Sequence, residues 1–196
     1  MKAGLLFSGG KDSALAAVLL SRDYEVELNT FVFDPDREVP SVEAAARALG
    51  FPWQKRSLGL ECLTAAAGQV VRDGHPCTAI TAVHRRAVRL LAQEYEVVAD
   101  GTRMNDRVPM LTRGDAMSLA DRYGCSYVRP LLGYGKVEVQ RLAARHLSVA
   151  YGETGTIENG DYEYEIRAAV GRMGHRCAEL FPARHEQSLV TGATGT

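Results

Sequence analysis

The chain has 196 residues, 46% of them hydrophobic and 24% charged. Such a composition excludes disordered, collagen-like and disulfide-scaffold classes and fits one domain with a small addition. Acids and bases nearly cancel, 24 against 23, for a formal net charge of −1, which excludes a globally basic nucleic-acid binder but not a local basic patch. Along the chain, the first apolar segment, 2–7, reads as a strand, and a glycine turn breaks it at Ser8. That run is too short for a signal peptide, and no apolar stretch reaches the length of a membrane span, so a cytoplasmic location is expected. A helix follows over 12–21, with Leu15, Val18 and Leu19 on one face. Strands are expected at 26–33, 53–56, 96–99 and 126–129. Helical periodicity fills the intervals: 42–49 capped by Ser41 and stopped by Gly50, then 61–72, 78–93 and 115–123. Segments 137–147 and 163–180 read as helices after the last of these strands.

Strands alternating with helices imply right-handed crossovers and a parallel sheet covered on both faces. Two helical segments separate the third and fourth strands, enough chain to cross back beside the first. Ligands in such sheets bind outside the carboxyl ends of strands where the winding reverses. The sequence there is Ser8-Gly9-Gly10-Lys11-Asp12-Ser13. Paired glycines let an anion approach the backbone amides, and the following helix aims its positive end at the same space. Ser8 and Ser13 add hydroxyls, Lys11 a cation, and Asp12 an acid suited to hold magnesium or a water. The residues point to a polyphosphate site. Neither a Walker loop nor a dinucleotide glycine fingerprint is present.

Ser8-Gly9-Gly10-Lys11-Asp12-Ser13 resembles the Ser-Gly-Gly-x-Asp-Ser signature of the PP-loop ATP pyrophosphatases, also called adenine nucleotide alpha-hydrolase-like proteins. The resemblance implies a five-stranded parallel sheet in the order 3-2-1-4-5, over residues 1–150. It also implies ATP and Mg2+ as cofactors, with cleavage between the α and β phosphates and transfer of AMP to an acceptor. Residues 100–107 partly resemble the Gly-His-Asn-x-Asp-Asp loop of several such enzymes: Gly101 and Asp106 match, whereas Thr102, Arg103 and Asn105 depart from it. On this reading Asp12 and Asp106 hold magnesium, Gly101 and Thr102 line the nucleotide site, and Arg103 or Arg107 contacts phosphate or an acidic substrate. Lys136, opening a helix after an Arg-Pro-Leu step, is expected to stabilise charge on the α-phosphate. Phe33, at the end of the second strand, is expected to wall the adenine.

A helical appendage over 151–190 is expected to shape the acceptor site, with a frayed tail over 191–196. It begins with an acidic block, Glu153, Glu158, Asp161, Glu163 and Glu165, open to capping, metal or amine-binding roles. Farther on, Arg172, His175, Arg176, Arg184 and His185 enrich 171–185 in base, as a pocket wall or subunit contact. His84, Arg85 and Arg86 read as an exposed helix face. Cys62, Cys77, Cys125 and Cys177 show no Cys-x-x-Cys spacing, and reduced, incidental thiols are expected. Four lysines stand against nineteen arginines, a coding bias, yet Lys11 and Lys136 both fall at proposed phosphate positions. The favoured function is an adenylyl-transferring enzyme with a small-molecule acceptor. A non-catalytic ATP or AMP sensor and a tRNA-modifying enzyme are the alternatives, and a homodimer stays open.

Overall fold

In the computed structural model, which describes residues 1–153, 156–182 and 186–194, five strands form one sheet. They are β1 (Lys2–Leu6), β2 (Glu25–Val32), β3 (Trp53–Ser57), β4 (Val97–Ala99) and β5 (Ser126–Val128). All pairs are parallel, in the order β3-β2-β1-β4-β5, the order that the resemblance implies. Period-two alternation makes β1 the divider between two cores. Leu5 and Phe7 pack with α1 (Lys11–Leu20), α2 (Pro40–Leu49) and α6 (Lys136–His146). Leu6 faces the opposite core, built on α3 (Leu60–Asp73), α4 (Cys77–Leu91) and part of α5 (Arg113–Tyr123). Each fully buried aliphatic side chain contributes about 1.5–3 kcal/mol at most, and β1 is covered on both faces.

Because β1 pairs with β2 on one side and β4 on the other, the crossovers leave it in opposite directions. The crevice at its carboxyl end is therefore a topological switch point. Helix boundaries differ slightly from expectation. Pro40 opens α2 in place of the expected Ser41 cap, since proline's fixed φ suits the first helical turn. Thr112 and Asp115 make a reciprocal capping box on α5.

The C-terminal part is more than a helical appendage. Leu147, expected in a helix, starts β6 (Leu147–Glu153), which pairs antiparallel with β7 (Glu186–Ala193). The expected tail is thus partly ordered: Thr191, Gly192 and Ala193 lie in β7, and Thr194 N donates to His146 O at 3.0 Å. Residues 195 and 196 lie outside the described residues. Backbone ladder bonds hold this pair, and it packs on α2. The expected helix 163–180 is two helices, α7 (Tyr162–Arg172) and α8 (Cys177–Leu180). None of the described helices is long and apolar enough to cross a membrane.

Candidate active site

The turn after β1 closes on itself through hydroxyls. Gly9 has φ +82°, a conformation that side chains rarely adopt. Ser13 Oγ accepts from Ser8 N at 3.4 Å and donates to Gly10 O at 3.0 Å, while Ser8 Oγ accepts from Gly10 N at 3.3 Å. Gly10 is the N-cap of α1 and brings no side-chain cap, so the first helical amides look for partners elsewhere. Lys11 N finds one in β7, donating to Ser188 Oγ at 3.2 Å. Val190 N donates to Gly9 O at 2.8 Å. As a result Gly9, Gly10 and Lys11 lie against β7, whereas Ser8, Asp12 and Ser13 line a cleft of about 270 Å³.

Residues 100–107 form the facing wall. Gly101 is required there: a Cβ on it would stand 2.6 Å from Ser13 N and 2.7 Å from Asp12 C. This close approach brings Thr102 and Arg103 to the start of α1. Arg103 Nε lies 3.5 Å from Asp12 Oδ2. The same guanidinium, together with the Arg103 amide, binds both oxygens of Asp106, with the amide bond at 2.8 Å and the Nε bond at 3.0 Å. Burial opposes the Arg103 charge, but Asp106 and Asp12 outweigh it and raise the guanidinium's pKa. Among the described residues, two buried side-chain atoms have no hydrogen-bond partner, Asp12 Oδ1 and Arg103 Nη1. They belong to neighbouring side chains that both line this cleft. A buried acceptor and a buried donor left unbonded are costly unless a ligand satisfies them.

One step farther in, Asp100 shows the opposite condition. Its Oδ2 is 2.6 Å from His84 Nε2 and accepts the Tyr127 hydroxyl, while Oδ1 accepts Thr102 N at 2.9 Å. Burial pushes this carboxyl upward, yet the bonds from His84, Tyr127 and Thr102 overcome it and hold the pKa at about 2. Burial and the adjacent Asp100 charge drive the Tyr127 phenol well above its ordinary range. Burial, then the same charge, does likewise to Tyr162. The expectation that His84 is exposed is therefore corrected: it is 5% exposed and lines the cleft. Arg85 turns outward and pairs with Asp115 at 2.7 Å.

Residues 1–192 match the model of a family described as Family of unknown function (DUF7411). The chain belongs to this family. It is 36% identical over 193 residues to uncharacterized protein MJ0690 of Methanocaldococcus jannaschii, covering 98% of this chain and 96% of that one. It is 34% identical, with a TM-score of 0.90, to the crystal structure of a predicted subunit of tRNA methyltransferase from Methanocaldococcus jannaschii, covering 100% and 98% of the two chains. A partial likeness, at 18% identity and a TM-score of 0.48, extends to NH3-dependent NAD synthetase from Campylobacter jejuni, over 73% of this chain and 62% of that one.

In this DUF7411 member, several expected site residues stand away from the cleft. Phe33 is fully buried in the core, and its amide donates to both oxygens of Glu165, at 3.2 and 3.1 Å. Asn29 and Phe31 line the cleft, whereas Phe33, just past the end of β2 and on the same side as Phe31, packs with it in the core. Lys136 is exposed at the start of α6, its Nζ 3.6 Å from Glu186. Arg107 lines a neighbouring cavity of about 480 Å³, which shares Ile80, Asp106, Val108 and Glu163 with the first.

The acidic block is largely structural. Asp161 caps α7, Glu163 pairs with Arg167 at 2.6 Å, and Glu165 pairs with Arg37 at 2.8 Å. Asp161 and Glu163 also line the cleft. The described cysteines are unpaired, and burial raises the Cys62 and Cys125 thiols. Arg172, His175 and Arg176 are exposed, while Arg184 and His185 lie outside the described residues.

Proposed function

We propose that this protein binds Mg·ATP between the glycine turn and residues 100–107, cleaves it between the α and β phosphates, and transfers AMP to an oxygen of a small acceptor. The observation that carries this reading is the pair of orphaned buried atoms, Asp12 Oδ1 and Arg103 Nη1, beside the buried Lys11 ammonium. An anion brought by a hard cation satisfies all three. An oxygen-rich phosphate suits Lys11, Arg103 and the hydroxyls of Ser8 and Ser13.

Magnesium is usually held by one or two carboxylates together with phosphates. The oxygen that Asp12 would offer to that ion is Oδ1, which accepts no hydrogen bond and lies 3.4 Å from the Lys11 ammonium. Both Asp106 oxygens are engaged by Arg103, so Asp106 serves as the holder of that arginine. When bound, magnesium supplies charge neutralisation to the leaving phosphates. In the reaction, an acceptor oxygen forms a bond to the α-phosphorus as the bond to the bridging oxygen breaks, and pyrophosphate departs. Lys11 and Arg103 orient the phosphates and stabilise their charge. An amine or sulfur donor then displaces AMP. Lys136 faces solvent and has no part in this step.

To test it, α-labelled ATP is incubated with the protein and a panel of carboxylate and carbonyl acceptors. AMP and pyrophosphate are the expected products; ADP with phosphate alone refutes the mechanism. Persistent ATP binding by Asp12→Ala, with no turnover by wild type, favours the sensor alternative.

One observation favours a nucleic-acid acceptor as a second reading: the 34% identical structure is that of a predicted tRNA methyltransferase subunit. It predicts tRNA binding that weakens steeply with salt.

A further inference from the structure

The glycine turn has a third hydroxyl, and it comes from a strand remote in sequence. The bond from Val190 N to Gly9 O, 2.8 Å long, sets β7 in register with the turn. Two residues earlier, Ser188 meets the start of α1, where its Oγ accepts Lys11 N at 3.2 Å in a buried contact spanning 177 positions. A Cβ built on Gly10 would lie 3.3 Å from Ser8 Oγ and 3.5 Å from Ser188 Oγ, and Ser8 Oγ is itself 3.4 Å from Ser13 Oγ. Three hydroxyls thus gather around one glycine.

A hydroxyl carries one proton and two lone pairs. Ser188 uses a lone pair on Lys11 N, and among the described residues no group is seen to accept its proton. Alongside, the Lys11 side chain is nine-tenths buried, with an ion-pair contact of 3.4 Å to Asp12, whose Oδ1 accepts no hydrogen bond. Donors buried in this condition are satisfied by a phosphate oxygen.

We propose that Ser188 is a phosphate-binding residue of this turn. One lone pair fixes the Lys11 amide, and its proton is donated to an oxygen of a pyrophosphate group, either free or as the β,γ end of a nucleotide. The inference rests on the phosphate reading given above and adds to it a residue from β7. Leu189 packs beside the turn, its Cδ1 3.1 Å from a Cβ built on Gly9, and anchors the strand without offering a hydrogen bond.

That difference supplies the test. Wild type, Ser188→Ala, Ser188→Thr and Leu189→Ala are titrated with magnesium pyrophosphate and with Mg·ATP, and each apo protein is melted. Ser188→Ala is expected to weaken both ligands about 10-fold. Ser188→Thr keeps the hydroxyl and stays within about 3-fold of wild type. Leu189→Ala loses a partly buried apolar contact, so it melts below Ser188→Ala while its affinity stays within about 3-fold. Weakening of Mg·ATP alone assigns the group to a nucleotide tail; weakening of both assigns it to pyrophosphate itself. Wild-type or tighter binding by Ser188→Ala overturns the proposal, as does affinity that follows melting temperature across the variants. A wild-type protein that binds neither ligand overturns the phosphate reading before any variant is compared.

Discussion

Two aspartates lie on the same cleft in opposite states. Asp100, at the end of β4, is 2% exposed, and His84, Tyr127 and Thr102 N all converge on its carboxylate. Asp12, in the first turn of α1, has one buried oxygen with no hydrogen-bond partner and two cations at 3.4 and 3.5 Å. Gly101 holds the two together, since its backbone packs directly on that of Asp12 and Ser13. A saturated buried acid stiffens its surroundings, whereas an unsaturated one is retained against a stability cost. The contrast separates a satisfied wall of the cleft from an unsatisfied one.

Removing the saturated acid should do the greater damage to folding. Asp100→Ala strands His84 and Tyr127 in the interior and is expected to cost about 3–5 kcal/mol in urea denaturation; a loss below about 1 kcal/mol would show that the network is slack. The same carboxyl sets a pH window. Its pKa is lowered to about 2 in the fold, so its contribution is fully present above the ordinary carboxyl range. That contribution is lost as pH falls from about 4 toward 2. Wild type should lose about 2 kcal/mol more than Asp100→Ala across that interval, and parallel acid titrations of the two would contradict this.

Gly101→Ala tests the tie between the acids. The added methyl meets backbone at 2.6 and 2.7 Å, so β4 and α1 must separate, at about 1–3 kcal/mol. An unchanged melting temperature rules out that close approach. Asp12→Asn has the smallest effect on folding, under about 1 kcal/mol, because it keeps an oxygen facing Lys11 and breaks no hydrogen bond of Oδ1. Magnesium-dependent ATP affinity should nonetheless fall about 10- to 100-fold. If stability drops by more than about 2 kcal/mol instead, Asp12 belongs with Asp100 as a structural acid.

The sheet and the glycine turn were legible because both are local. Short apolar strands alternating with helical periodicity specify a parallel sheet, and Ser8 through Ser13 carry their chemistry within six consecutive positions. His84 was legible in principle and missed. It follows Ile80 by four residues and precedes Ala87 by three and Leu91 by seven, so it sits on the buried stripe of α4. Its neighbours Arg85 and Arg86 give the same stretch the look of a solvent-facing surface. Phe33 was expected at the adenine because it follows β2, but it shares the core with Phe31 and is covered by Tyr162 and Glu165 of α7, a helix too remote in sequence to leave a local signal. In β6 the larger apolar side chains Leu147, Val149 and Tyr151 recur every second position, but the segment follows directly on the helical pattern of α6, and β7 has only Leu189 and Val190 as an apolar core. Of the partners that fill Asp100, Thr102 N is local, but His84 and Tyr127 come from distant elements, and no local pattern encodes them.

The bond between Gly9 and Val190 has a consequence for synthesis. A chain made from its N-terminus can assemble β1, β2 and β3 early, and domains begin to form as they emerge. The glycine turn, however, receives β7 only after residue 190 has been added. Throughout elongation it remains an uncovered loop beside a growing sheet. The glycine turn thus leaves the ribosome long before the strand that completes its surroundings.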